Sequence, residues 1–126
     1  MEIKLTDAGR VAEGYSDEKR DCAVRALAVA ADIPYYQAHD IFKSGGRRYR
    51  CGSYNTRPTL AKIGIEGASC RMSLASFIYM NPKGSFYIIK RGHAFAVKDG
   101  IVFDNRQLGG RIIVQWFAEI KKDLTR

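Results

Sequence analysis

The dipeptide Asp99-Gly100, set between two apolar and β-branched segments, is the feature that most narrowly limits how this chain can fold. Asp-Gly favours the two-residue turn of a β-hairpin, because that turn needs positive φ at both positions. A turn of this length also fixes the register of the flanking strands, residue by residue. Residues 93–97 and 101–104 are therefore predicted to be paired antiparallel strands, whose side chains alternate between the two faces of a sheet.

The part of the chain before residue 85 has the pattern of helices. Residues 22–31 are rich in alanine and almost entirely apolar, which predicts a central, buried helix with Asp21 as its N-cap. Capping and breaker residues predict three shorter helices, at 34–43, 56–64 and 74–80. Apolar runs predict two more strands, at 86–89 and 111–117. Residues 1–20 are interpreted as a loop or a short edge strand. Helices followed by an antiparallel sheet predict one α+β domain over residues 1–126.

Positive charge is concentrated in the middle of the sequence. The net charge of +8 comes from 21 basic and 13 acidic residues, and residues 41–98 contain 11 of the basic residues with Glu66 as the lone acid. The densest run places Arg47, Arg48 and Arg50 around Tyr49, and we expect these side chains to be exposed. Such a patch could bind nucleic acid or another anionic partner, but its simplest interpretation is a basic surface without a dedicated ligand.

Composition argues against several other classes of protein. An apolar fraction of 46% and a charged fraction of 27% are typical of a globular domain. No apolar run approaches the ~18 residues that a membrane span needs, and residues 1–5 lack the apolar core of a signal peptide. Three irregularly spaced cysteines, Cys22, Cys51 and Cys70, predict reduced thiols in a cytoplasmic protein. We expect no metal, no cofactor and no membrane partner.

Three residues could together perform nucleophilic chemistry. Cys22 begins the predicted buried helix, where the helix dipole favours a thiolate. His93 begins a strand of the hairpin, and the predicted register puts Asp104 on the same face, about 7 Å away between Cα atoms. Asn105 would point to the opposite face. A carboxylate that orients an imidazole, which in turn activates a thiol, is the logic of a catalytic triad. Taken alone, each residue is more often structural: a cysteine as a small core side chain, a strand histidine as a packing residue, and an aspartate as the start of a turn. The functional interpretation is favoured by the order in which the three occur along the chain.

The local sequence around these residues resembles small papain-like cysteine peptidases encoded by phages and prophages. The resemblance is carried by DCAVRALA at 21–28, IPY at 33–35, PKGSF at 82–86 and GHAFAVKDGIVFD at 92–104. It implies a papain-like fold, with a helical half followed by a sheet half. It also implies Cys22 as nucleophile, His93 as general base and Asp104 as the residue that orients it. If the protein is phage-encoded, the host cytoplasm is its expected location.

One part of the papain pattern is missing. Papain has an oxyanion-stabilising glutamine six residues before its cysteine, and this chain has Ser16 there. The donors proposed instead are the backbone N–H of Cys22 with Ser16 or Arg20. The first prediction is thus a cysteine hydrolase acting on a protein or peptide, with amidase or transferase activity as variants. Two alternatives stay open: a nucleic-acid-binding protein that uses Arg47, Arg48, Tyr49 and Arg50, and an inactive papain-like fold that binds a host protein. The sequence leaves the oligomeric state undetermined.

Overall fold

Six strands form a mixed sheet, and four helices accompany it, in the part of the chain that the computed structural model describes, residues 1–121 and 124. The helices are α1 (Cys22–Ala30), α2 (Tyr35–Ser44), α3 (Thr56–Lys62) and α4 (Leu74–Met80). The strands are β1 (Ile3–Leu5), β2 (Ala68–Ser73), β3 (Ser85–Lys90), β4 (His93–Lys98), β5 (Ile101–Asp104) and β6 (Ile113–Glu119). The structure has the predicted α+β class, and the four helices lie where the sequence predicts them.

The sheet differs from the predicted one in two respects. Its order is β1-β5-β4-β3-β6-β2, and β1 pairs with β5 in parallel, so the sheet is mixed rather than purely antiparallel. It is also not confined to the C-terminal half, because β1 precedes all the helices and β2 lies between α3 and α4. The sequence pattern does not predict β2. That edge strand has no fully buried residue, so it lacks the alternation of apolar and polar residues that marks a half-buried strand.

The hairpin of β4 and β5 has the predicted register. Asp99 and Gly100 have φ of 50° and 79°, the positive values that a turn of this kind requires. Lys98 pairs with Ile101, and the pairing continues outward through Ala96 and Phe103. The two ends of the hairpin, His93 and Asp104, are thereby brought to the same end of the sheet.

Small side chains let α1 lie close to the sheet. The alanine-rich face of α1 belongs to a buried cluster with Ala94, Ala96 and Ala118, whereas α4 packs in a second cluster with Phe95 and other large residues. The hydroxyl of Tyr87, on β3, donates to the backbone carbonyl of Ala23 at 2.9 Å. This bond links the first turn of α1 to β3, the strand that pairs with β4.

Candidate active site

The fold brings together the three residues of the predicted triad. Cys22 is the first residue of α1, His93 the first residue of β4 and Asp104 the last residue of β5. The Nε2 atom of His93 lies 2.5 Å from Oδ2 of Asp104, and both side chains are buried, whereas Cys22 is half-buried. Because Asp104 occupies Nε2, the other ring nitrogen of His93 is left for the thiol.

The pKa values of the triad shift in the directions that favour a thiolate beside an imidazolium. Burial alone would raise the pKa of Cys22, but a hydrogen bond from His93, the backbone N–H of Ala94 and the charges of His93 and Arg25 together lower it below the usual thiol value. Burial would lower the pKa of His93, yet its bonds to Asp104 and Cys22 raise it. For Asp104, burial is outweighed by His93, the N–H of Asn105 and the charge of Arg25, so its pKa is lowered.

Asp104, rather than the side chain of Asn105, contacts the histidine. The backbone N–H of Asn105 donates to Oδ1 of Asp104 at 2.7 Å, while the Asn105 side chain is exposed. The rings of His93 and Phe95 are stacked with centroids 6.0 Å apart, so the two side chains share a face as the register predicts. Asn105 therefore supports the carboxylate through its backbone.

A buried ion-pair network, which the sequence pattern does not predict, holds Asp104 from the helix side. Arg25 donates to Oδ1 of Asp104 at 3.4 Å and to Oδ1 of Asp21 at 3.1 Å. Asp21 also accepts bonds from Arg10 at 3.2 Å and from the hydroxyl of Tyr35 at 2.8 Å. Asp21 is the N-cap residue of α1, as predicted, but its side chain makes no capping hydrogen bond, because its carboxylate is engaged by these three side chains. A lone charge in an otherwise apolar helix was the available signal for Arg25, since buried charges require partners.

Two cavities adjoin the thiol and the imidazole. One, of about 500 Å³, is lined by Cys22 and His93 together with most of the residues at 52–58 and 89–94. The other, of about 510 Å³, is also lined by Cys22 and His93 and extends toward Arg20 and Arg106. Cys22 and His93 line both cavities, so the thiol and the imidazole lie where the two cavities adjoin.

Of the two side chains predicted as oxyanion donors, one lines a cavity at the thiol and the other does not. Arg20 lines the second of these cavities, together with Cys22 and His93. Ser16 is exposed and is not among the residues that line either cavity at Cys22. The fold therefore brings Arg20, and not Ser16, to the site.

The predicted basic patch is only partly a surface feature. Arg47 was expected to be exposed, but its side chain is 2% exposed and donates to Glu18 Oε2 at 3.0 Å. His39 is also buried, and its Nε2 lies 2.7 Å from the same Glu18 oxygen. Arg48, Tyr49 and Arg50 are exposed, although the Tyr49 hydroxyl lies against Asp17. Glu18 lies 29 residues from Arg47 in the sequence, so no local pattern could have revealed the pairing.

The other two cysteines have different surroundings from Cys22. The Cys70 thiol faces the carbonyl of Val114 at 3.4 Å, and burial raises its pKa. Cys51 is half-buried, and the three cysteines are free thiols. No group of three or more His, Cys, Asp or Glu side chains within residues 1–121 and 124 is arranged to hold a metal ion. None of the described helices has the length and apolar character needed to cross a membrane.

Comparison with known proteins gives no match: no family model, no curated protein and no solved structure matches the chain. The resemblance to papain-like proteins therefore rests on the sequence motifs around Cys22 and His93.

Proposed function

We propose that the protein is a papain-like cysteine hydrolase, a peptidase or amidase, with Cys22 as nucleophile, His93 as general base and Asp104 as the residue that orients His93. The observation that carries the proposal is that the His93 imidazole contacts the buried carboxylate of Asp104 at 2.5 Å and lines the same two cavities as the half-buried thiol of Cys22. The pKa of the thiol is lowered and that of the imidazole is raised, as an ion pair requires.

The reaction follows from this arrangement. The Cys22 thiolate attacks the carbonyl carbon of an amide, and a carbon–sulfur bond forms. The carbon–nitrogen bond then breaks as the His93 imidazolium gives its proton to the departing amine, which leaves a thioester on Cys22. Water, deprotonated by His93, attacks the thioester carbon. The carbon–sulfur bond breaks, releasing a carboxylic acid and restoring the thiolate. Asp104 holds the imidazole in one tautomer throughout.

The oxyanion of each tetrahedral intermediate needs donors beside the thiol. We assign this role to the backbone N–H of Cys22, at the N-terminus of α1, and to the guanidinium of Arg20. First-turn N–H groups of a helix have no partner within the helix, and Arg20 lines a cavity with Cys22 and His93. A cation in place of the usual amide would stabilise the developing negative charge more strongly.

The fold is part of the same proposal. A nucleophile at the start of a helix that packs on strands carrying the histidine is the arrangement that the resemblance to papain-like proteins implies. The motifs at 21–28 and 92–104 contain all three proposed catalytic residues, and Arg25 as well. The phage origin and the host cytoplasm as the site of action rest on the same motifs.

A chemical trap tests the function directly. The protein is mixed with p-nitrophenyl acetate and with a library of peptide amides, and acylation is followed by intact-mass spectrometry. The proposal predicts an acetyl adduct that maps to Cys22 and turns over, together with cleavage of at least one peptide. The Cys22→Ala variant should lose both, whereas Cys51→Ala should retain both. Turnover that persists in Cys22→Ala, or an intact Cys22 that never acylates, would overturn the proposal in favour of an inactive binding fold.

A further inference from the structure

The two cavities at the thiol together form a cleft that crosses the proposed active site. Four residues line both cavities: Cys22, His93, Gly52 and Gly92. The junction of the cavities therefore coincides with the proposed reacting atoms. A substrate whose chain extends to both sides of a scissile amide would lie in both cavities when its carbonyl carbon reaches the thiol.

Both arms of the cleft carry positive charge without acids to balance it. Arg57 and Lys90 line the first arm, and Arg20 and Arg106 line the second. No acidic residue of the described chain is among those lining either arm. None of the four cations forms a salt bridge with another described residue; Arg57 instead stacks on the ring of Trp116 at 5.6 Å. Arg25 also lines the second arm, but its charge is offset by Asp21 and Asp104.

The walls near the thiol suit a polypeptide. Gly52 and Gly92 present no side chain there, and a Cβ added to either would meet nothing within 4 Å, so the space beside the thiol is open to a main chain. Ala23, Pro58 and Ile89 give the first arm an apolar surface. A carboxylate side chain pairs well with arginine, through two parallel hydrogen bonds. A nucleic acid would also be attracted by these cations, but it offers no acyl carbon to the thiol between them.

We propose that this cleft selects acidic peptide segments, with Asp or Glu side chains on both sides of the scissile amide. The inference rests on the proposed function, because the scissile bond is defined by Cys22. Arg57 and Lys90 provide the selectivity in the first arm and Arg106 provides it in the second, while Arg20 is reserved for the oxyanion. These three cations lie on separate segments of the chain, so each side of the substrate is recognised separately.

Binding to the Cys22→Ala variant tests the inference without turnover. Three labelled peptides of equal length, with Glu, Gln or Lys flanking a central Gly-Ala, are titrated by fluorescence anisotropy at about 50 mM and about 200 mM salt. Three partly exposed charge pairs predict that the Glu peptide binds about tenfold more tightly than the Gln peptide at the lower salt. The preference should shrink at the higher salt.

Matched charge variants locate the effect. Arg57→Gln with Arg106→Gln, made in the Cys22→Ala protein, should remove most of the preference for the Glu peptide. Lys62→Gln with Lys83→Gln makes the same change of charge at exposed positions outside the cleft, and should leave the preference intact. Equal loss in both double variants would overturn the inference, because a general effect of net charge would then explain the binding.

Two other outcomes are equally decisive. Equal affinity for the Glu and Gln peptides would overturn the inference. So would an oligodeoxythymidine of matched charge that displaces the Glu peptide and loses affinity in the same cleft variant, since the cleft would then be a general polyanion site. A preference for the Glu peptide supports the inference even if the unmodified protein never acylates; that second result would count against the proposed hydrolase activity alone.

Discussion

Arg25 connects the acids around the proposed triad. Its guanidinium bridges Asp21, one helical turn away, and Asp104, at the end of β5. The side chains of both acids are only 1% exposed, so water cannot solvate either carboxylate and each needs a positively charged partner. The positive charge of Arg25 contributes to lowering the pKa of both Asp104 and Cys22. Arg25 is thus a positioning residue, acting on the thiol through Asp104 and through its own field.

Replacing Arg25 with glutamine should raise the pKa of Cys22. The variant loses a positive charge near the thiol and one donor to Asp104. We expect the pH midpoint of Cys22 alkylation by iodoacetamide to move upward, and the rate at neutral pH to fall accordingly, because less of the thiol is ionised there. Arg10→Gln is the matched control, because Arg10 also pairs with Asp21 but does not contact Asp104. An equal shift in the two variants, after correction for folded fraction by thermal melts, would show that Arg25 acts only through stability.

The hairpin is the element that the sequence specified most completely. Two residues with positive φ set its register, and the register set the His93–Asp104 contact. The turn residues alone were enough to predict this contact, because a two-residue turn determines which residues of the two strands lie opposite each other. The Glu18, His39 and Arg47 cluster could not be predicted in this way, because its members come from three separate segments that only the folded core brings together. The edge strand β2 was missed because its residues carry no burial pattern.

The hairpin register gives a paired prediction for the two residues at its end. Asp104→Asn should lower the alkylation rate of Cys22 at neutral pH by about tenfold, because the imidazole loses the carboxylate that raises its pKa. Asn105→Ala should leave the rate nearly unchanged, since Asn105 supports Asp104 through its backbone N–H. Both variants are compared at equal folded fraction. A larger loss in Asn105→Ala than in Asp104→Asn would contradict the assignment of Asp104.

The segment after α2 gives a prediction about stability. Arg47→Ala leaves the buried carboxylate of Glu18 with one fewer donor, and should cost about 3–5 kcal/mol of unfolding free energy at neutral pH. Arg48→Ala, an exposed neighbour with the same change of charge, should stay within about 0.5 kcal/mol. Urea denaturation measures both. Similar stabilities for the two variants would show that Arg47 is not part of the core.

The same cluster has a defined pH dependence. Although burial opposes it, bonds from Arg47 and His39 lower the pKa of Glu18 from 4.5 to about 2 in the folded protein. The stabilisation is therefore fully present above the unfolded pKa near 4.5, and is lost as the pH falls toward 2. The difference in stability between the Arg47→Ala variant and the unmodified protein should narrow across this interval. A constant difference down to pH 2 would contradict the role of the Glu18 carboxylate.

At the scale of the whole molecule, packing of α1 against the sheet is what creates the site. Small residues on both surfaces let the helix approach β4, and the bond from Tyr87 to Ala23 holds its first turn. The thiol at the helix start and the imidazole at the strand start are then neighbours. Charge is distributed unevenly around the site: the acids Asp21 and Asp104 are buried and paired, while the cleft is lined by cations that pair with none of the acids that the structure describes.

The proposed activation of Cys22 by His93 is measured most directly by the alkylation of this thiol as a function of pH. Iodoacetamide labelling of the folded protein, read peptide by peptide in a mass spectrometer, gives separate rates for Cys22, Cys51 and Cys70. We expect Cys22 to label fastest at neutral pH, with a midpoint below the ~8.5 of an ordinary thiol. In His93→Gln that midpoint should rise. Faster labelling of Cys51 or Cys70, or a Cys22 midpoint that His93→Gln leaves unchanged, would contradict the claim.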